Sequence, residues 1–100
     1  MIKHVVMLRM KEYDNKTQKL ENALKLKKAI EHLKIFIDDL KHIEVGLNFN
    51  VKPHSYDLVL TSTFETEQGL DNYRNHPEHK KLMIFLKTVT EESAVVDYEI

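Results

Sequence analysis

The residues best suited to chemistry in this sequence are histidines in the second half of the chain. Six histidines occur in 100 residues, and the one dense cluster holds His76 and His79 on either side of Pro77. Proline can open a helix as its first residue, and the positive end of the helix dipole disfavours a charged imidazole in the first turn. We therefore expect His79 to be neutral and able to accept a proton.

Two further polar side chains are predicted to point at the same apolar layer. Tyr73 lies three residues after Leu70 on a short predicted helix. His4 alternates with Val6 and Leu8 on one face of the first predicted strand. Three polar groups that converge on an apolar layer indicate a small-molecule pocket between the sheet and the helices. The alternative is that each group makes a hydrogen bond within the core and nothing more.

A metal centre and a cofactor are not expected. The proline between His76 and His79 prevents the two rings from sharing one regular helical turn, which weakens any metal-ligand spacing. The chain has no cysteine, so disulfides, thiolate catalysis and cysteine-based metal sites are excluded. Three further histidines lie among charged or turn residues and are interpreted as solvated: His32, His42 and His54.

The spacing of apolar residues predicts one α+β domain over residues 1–100, with the order β-α-β-β-α-β. The predicted strands cover residues 2–10, 42–51, 56–64 and 94–100. The first predicted helix runs from near Asn15 to near Lys41. A second covers residues 66–75, and a third begins at Pro77. This is the ferredoxin-like arrangement, in which a four-stranded antiparallel sheet carries its helices on one face.

The other face of the predicted sheet is only partly polar. In the last strand, the residues expected to pack against the helices are Ala94, Val96, Tyr98 and Ile100. The open face is expected to carry Val5, Met7, Val59, Thr61, Thr63 and Val95. So much β-branched and sulfur-containing surface usually meets a partner, and two such sheets packed face to face close a barrel across a twofold axis. We predict a homodimer, with a monomer as the alternative.

The charge balance argues against nucleic acid and membranes as partners. Lys and Arg number 15 against 16 Asp and Glu, for a net charge of −1. The protein therefore has no overall positive electrostatic potential that would attract polyanions. The strands lack the Gly-Phe-rich signature of RNA-recognition modules. The longest apolar runs fall far short of the ~20 residues that span a bilayer, and the charged beginning of the chain is unlike a signal peptide. A cytoplasmic location is expected.

The string Tyr-x-x-His-Pro-x-His at residues 73–79 and the opening residues 2–8 resemble the stress-responsive dimeric α/β-barrel family. The match in element order covers nearly the whole chain. The resemblance implies a ferredoxin-like fold that dimerises through its sheets and needs no cofactor. Many members of that family are small proteins of unassigned role, and some are linked to stress tolerance.

One enzyme of that family, a plant polyketide cyclase, uses a tyrosine and two histidines that match Tyr73, His79 and His4. The resemblance implies that His79 removes a proton beside a carbonyl group, that Tyr73 hydrogen-bonds the enolate oxygen, and that His4 lines the pocket. We assign His76 and Leu24 to substrate binding as well. A non-enzymatic stress or interaction protein is the first alternative. A cofactor-independent monooxygenase, a chemistry found in another group of dimeric α/β barrels, is the second.

Overall fold

The computed structural model describes residues 1–50 and 52–100, which form a four-stranded antiparallel sheet with three helices on one face. The strands are β1 (Ile2–Met10), β2 (His42–Leu47), β3 (Leu58–Phe64) and β4 (Thr90–Glu99), and the helices are α1 (Lys16–Phe36), α2 (Glu67–Asn75) and α3 (Pro77–Val89). The spatial order β2-β3-β1-β4 confirms the predicted ferredoxin-like fold. No helix among these residues is long and apolar enough to cross a lipid bilayer.

Helix α1 begins where predicted and ends earlier than predicted. The side chain of Asn15 caps it by accepting a hydrogen bond from the Thr17 backbone N–H at 2.8 Å. The helix ends at Phe36, short of the expected end near residue 41. Ile37 is already extended, with φ −116° and ψ 101°, although Ile37 and Leu40 both stay buried. These two residues continue the apolar spacing of the helix although they lie in the turn that follows it. This is why the predicted helix was too long.

The connection after β2 also starts earlier than predicted. β2 ends at Leu47 rather than near residue 51. The Asn48 side chain donates a hydrogen bond to the carbonyl oxygen of Tyr56 at 2.7 Å, and its oxygen accepts one from the Asn50 N–H at 2.8 Å. Such local side-chain bonds favour a turn over further strand. Val51, the predicted end of the strand, lies outside the described residues.

Strand β4 directs toward the open face the residues that were predicted to face the helices. Val96 pairs with Val5 in the β1–β4 ladder, and directly opposed residues of antiparallel strands share a face. The β4 residues that lie on the open face with Val5 are Ala94, Val96 and Tyr98. Their predicted placement against the helices was therefore wrong.

The same register brings two other β4 residues to the helix side of the sheet. Val95 lies opposite Val6, and Asp97 lies opposite His4. Val95 was expected on the open face, and this expectation was also wrong. The physical reason is that valines occupy both position 95 and position 96, so apolar alternation alone does not indicate which face meets the helices.

The corrected open face is more apolar than the predicted one. Val5, Thr61 and Thr63 lie there as expected. The large apolar side chains exposed on it are Met7, Val59, Val96 and Tyr98. Since the helices cover only the opposite face, these side chains form an exposed apolar surface suited to burial against a partner.

Two isoleucines of α1 provide a matched test of which helix face packs on the sheet. Ile30 is fully buried, whereas Ile35 is 70% exposed. Ile30→Ala should lower the free energy of unfolding by about 2–5 kcal/mol, because it removes buried apolar atoms and leaves a cavity. Ile35→Ala should change it by about 0.5 kcal/mol or less. Urea denaturation followed by circular dichroism measures both, and equal losses would contradict the observed packing.

Candidate active site

His4, Tyr73 and His79 lie side by side between the sheet and helices α2 and α3. Tyr73 is the central member, with its ring centroid 6.2 Å from that of His4 and 4.6 Å from that of His79. Phe64 of β3 packs against the same tyrosine with a centroid distance of 5.1 Å. The structure therefore brings together the three polar residues that the sequence analysis singled out.

Tyr73 is the most deeply buried of the three. Thr66 caps α2 by accepting a hydrogen bond from the Gly69 N–H at 3.0 Å, and the buried face of that helix carries Leu70 and Tyr73. Burial raises the pKa of Tyr73 to about 12, against an opposing effect of the Arg74 charge. The hydroxyl therefore stays protonated at neutral pH and can donate a hydrogen bond.

His79 carries a buried Nδ1 atom that has no hydrogen-bond partner among the described residues. Burial lowers the pKa of this imidazole, and the charge of the neighbouring His4 lowers it further. A contact of the ring with the Arg74 backbone opposes both, but its geometry is too poor to count as a hydrogen bond. The ring is consequently neutral at neutral pH. Because buried polar atoms are nearly always paired, an unpaired ring nitrogen at this position calls for an explanation.

His4 is held by Asp97, a residue that the sequence analysis did not single out. The Nδ1–H of His4 donates to one carboxylate oxygen of Asp97, and Nη2 of Arg74 donates to the other at 2.6 Å. Burial alone would raise the pKa of Asp97, but the hydrogen bond from His4 and the charges of His4 and Arg74 outweigh it and lower that pKa. An ionised carboxylate only accepts, so it fixes a proton on Nδ1 of His4 and orients the ring.

The sequence analysis missed Asp97 and Arg74 because it assigned the side chains of β4 to the wrong faces of the sheet. Once β4 begins at Thr90 and pairs with β1, Asp97 falls directly opposite His4. The available signal was an acidic residue within an apolar strand, on the same face as a buried histidine. Arg74 stands inside the string at residues 73–79, but its partner could not be recognised without that strand register.

His76 joins α2 to α3 by two hydrogen bonds. Its backbone N–H donates to the carbonyl oxygen of Tyr73 at 3.2 Å, and its Nδ1 accepts from the Glu78 N–H at 3.1 Å. It thereby ends one helix and caps the next, which sets the directions of Tyr73 and His79. The observed role of His76 is one of positioning, and its expected contact with a substrate stays a prediction.

Leu24 lies on the outer side of α1. It is 41% exposed, whereas the buried stripe of that helix includes Ala23 and Leu26. The structure does not bring Leu24 to the three rings. Among residues 1–50 and 52–100, no group of three or more histidine, aspartate or glutamate side chains is arranged to hold a metal ion.

The sheet, its one-sided helices and the buried Tyr-His cluster define a ferredoxin-like α+β protein with a candidate site between its two layers. The family model of the stress responsive A/B barrel domain matches residues 2–100, and the chain belongs to that family. A search of curated proteins finds no match.

Solved structures share the fold over nearly the whole chain. A dimeric protein of unknown function with a ferredoxin-like fold, from Bacteroides fragilis, is 33% identical, with a TM-score of 0.89 over 99% of this chain and 95% of that one. The protein At3g17210 of Arabidopsis thaliana is 24% identical, with a TM-score of 0.82 over 100% and 95%. Hydroxynitrile lyase from Passiflora edulis is 16% identical, with a TM-score of 0.80 over 99% and 92%. The last two similarities concern the fold alone.

The neutral state of His79 predicts how stability depends on pH. Its pKa in the folded protein lies below the ordinary 6.5, so the unfolded chain binds more protons as the pH falls below that value. The contribution is complete above pH 6.5 and is lost as the pH falls toward the folded pKa. Asp97, whose pKa is lowered from 3.8, contributes stability that is lost only in more acid solution.

We therefore expect His79→Gln to flatten the slope of unfolding free energy against pH between about pH 6.5 and 5. The matched control is His32→Gln, which changes an exposed histidine of α1 and should keep the wild-type slope. Urea denaturation at a series of pH values measures both. A wild-type slope in the folded His79→Gln variant would contradict the assignment.

Proposed function

We propose that the protein catalyses cofactor-free proton transfer at a carbon next to a carbonyl group of a small molecule. The observation that carries this proposal is the buried, unpartnered Nδ1 of the neutral His79 beside the protonated Tyr73. An unpaired buried polar atom costs about 1–3 kcal/mol of stability. A proton acceptor kept away from water is a function that justifies this cost.

In the proposed reaction, Nδ1 of His79 takes a proton from the carbon beside the carbonyl group. The electron pair of the broken C–H bond moves to the carbonyl oxygen and forms an enolate. Tyr73 donates a hydrogen bond to that oxygen, where negative charge develops. The enolate carbon then recovers a proton from His79 or attacks a second carbonyl carbon, and in the second case the proton on His79 passes to the new alkoxide.

His4 supplies a further oriented polar group. Since Asp97 holds a proton on Nδ1 of His4, Nε2 is the ring atom free to hydrogen-bond an oxygen of the substrate. Arg74 completes the charge balance of Asp97 from the more exposed side. The hydroxynitrile lyase with the same fold supports the proposal only in showing that this architecture can hold an active site.

Exchange of carbon-bound protons with D2O tests the proposal directly. The protein should accelerate deuterium incorporation beside the carbonyl of small β-diketones and aryl ketones, as followed by proton NMR. His79→Ala should lower the rate about 10²–10⁴-fold, the usual contribution of a general base. Tyr73→Phe should lower it about 10²–10³-fold through loss of a hydrogen bond to the enolate.

The control for this experiment is His54→Ala, which changes an exposed histidine outside the three-ring cluster and should exchange at the wild-type rate. Circular dichroism and the thermal midpoint establish that each variant is folded. A folded His79→Ala variant with the full exchange rate would remove His79 from the mechanism.

A second candidate function is that of a non-enzymatic stress or interaction protein. The observation that favours it is the close packing of the three rings, with Tyr73 only 1% exposed, since a substrate must displace side chains to reach them. On this account, Tyr73→Phe and His79→Ala change the stability alone. The absence of any accelerated exchange in the wild type, across the ketones tested, would favour this second function.

We also infer that two copies associate through the open face of the sheet. The support is the apolar surface formed by Met7, Val59, Val96 and Tyr98, together with the description of a 33% identical relative as dimeric. Burial of a surface of this kind against its own copy is the simplest closed arrangement.

Adjacent valines of β4 provide the test of this interface. Val96 lies on the open face and is 59% exposed, and Val95 lies on the helix side and is 52% exposed. Val96→Asp should convert the dimer to a monomer, because each copy would place an unpaired carboxylate in the apolar interface. Val95→Asp should remain a dimer. Sedimentation velocity distinguishes the two, and a monomeric wild type or a dimeric Val96→Asp would refute the inference.

A further inference from the structure

A partly apolar groove runs between α1 and α3. Its volume is about 510 Å³, within the range of about 300–1,000 Å³ that is usual for small-molecule sites. Its deepest lining residues are Leu33 of α1 and Leu82 of α3, which are 4% and 8% exposed. Ala29, Phe36 and Phe85 extend this apolar lining.

The groove reaches the first turn of α3, which also carries His79. Leu82 follows His79 by one turn of α3, and residues three positions apart lie on the same face of a helix. Glu78, the residue before His79, also lines the groove. The groove therefore borders the segment that carries His79, although the His79 side chain itself does not line it.

The rim of the groove carries an excess of positive charge over its apolar floor. Lys28 and Lys81 both line it. Lys81 pairs with Glu78 at 3.2 Å, whereas Lys28 enters none of the ion pairs formed by the described part of the chain. A long lysine side chain can lay its methylene groups along an apolar surface and keep its ammonium group in water at the edge.

We propose that this groove binds the apolar body of an amphipathic monoanion, a carboxylate with an alkyl or aryl chain, and that Lys28 holds its carboxylate. The groove is a site apart from the His4–Tyr73–His79 cluster, because none of these three side chains lines it. The apolar lining supplies most of the affinity, and the single unpaired cation supplies the orientation.

Isothermal titration calorimetry with octanoate and octan-1-ol, each as monomers in solution, tests the proposal. The wild type should bind octanoate more tightly than octan-1-ol. Lys28→Gln should weaken octanoate binding about three- to fivefold, the effect of losing one exposed charge pair, and leave octan-1-ol unchanged. Ala29→Phe should weaken the binding of both, because it fills the groove.

The matched control is Lys34→Gln, which removes an exposed lysine from α1 outside the groove and should bind both compounds as the wild type does. Circular dichroism checks the fold of Ala29→Phe, and Lys28→Gln tests the proposal even where that variant unfolds. No binding of octanoate, or equal binding by the wild type and Lys28→Gln, would overturn the proposal. Binding to phosphatidylglycerol vesicles without binding of monomeric octanoate would overturn it too, in favour of a membrane surface.

His79→Ala separates this proposal from the proposed function. It should bind octanoate as the wild type does while losing deuterium exchange, since His79 does not line the groove. A wild type that binds octanoate with the expected dependence on Lys28 but exchanges no protons would leave the groove established and the proposed chemistry refuted.

Discussion

The antiparallel register between β1 and β4 determines both the candidate site and the apolar open face of the sheet. It places Asp97 opposite His4 on the helix side of the sheet and Val96 opposite Val5 on the open side. Because side chains alternate along a strand, a slip of one residue would move Asp97 away from His4 and turn Val96 under the helices. β1 also pairs with β3 on its other edge. β4 therefore pairs with a strand that is already held in the sheet.

Burial acts on the site by keeping two groups neutral while one ion pair remains at its edge. It raises the pKa of Tyr73 to about 12 and lowers that of His79, so that both are uncharged at neutral pH. Asp97 stays ionised because His4 and the half-exposed Arg74 stabilise its charge. The charged groups of Asp97 and Arg74 therefore lie at the more exposed edge of the three-ring cluster. A proton that reaches His79 creates the one new charge in the interior, and an enolate oxygen beside Tyr73 would be its natural counterion.

Local signals in the sequence predicted most of this fold, and tertiary pairing decided the rest. Asn15 and Pro77 marked helix starts that the structure confirms. Apolar spacing overextended α1 because it reports burial rather than backbone hydrogen bonding, and Ile37 is buried without being helical. The faces of β4 could not be predicted, since one packs toward helices and the other is apolar as well. For the same reason the sequence indicated His4, Tyr73 and His79 but could not reveal Asp97, whose role exists only through its partner strand.

The break between α2 and α3 explains how one short segment can supply two groups to one site. Tyr73 and His79 are six residues apart, and in an unbroken helix they would point about 120° apart, toward different neighbours. Pro77 lacks the N–H that would continue α2, and His76 satisfies both helix ends through the Tyr73 carbonyl and the Glu78 N–H. The reoriented α3 brings the two rings to 4.6 Å. The Tyr-x-x-His-Pro-x-His string thus encodes a geometry, and a chain that kept the tyrosine and the second histidine but lost the break would lose the site.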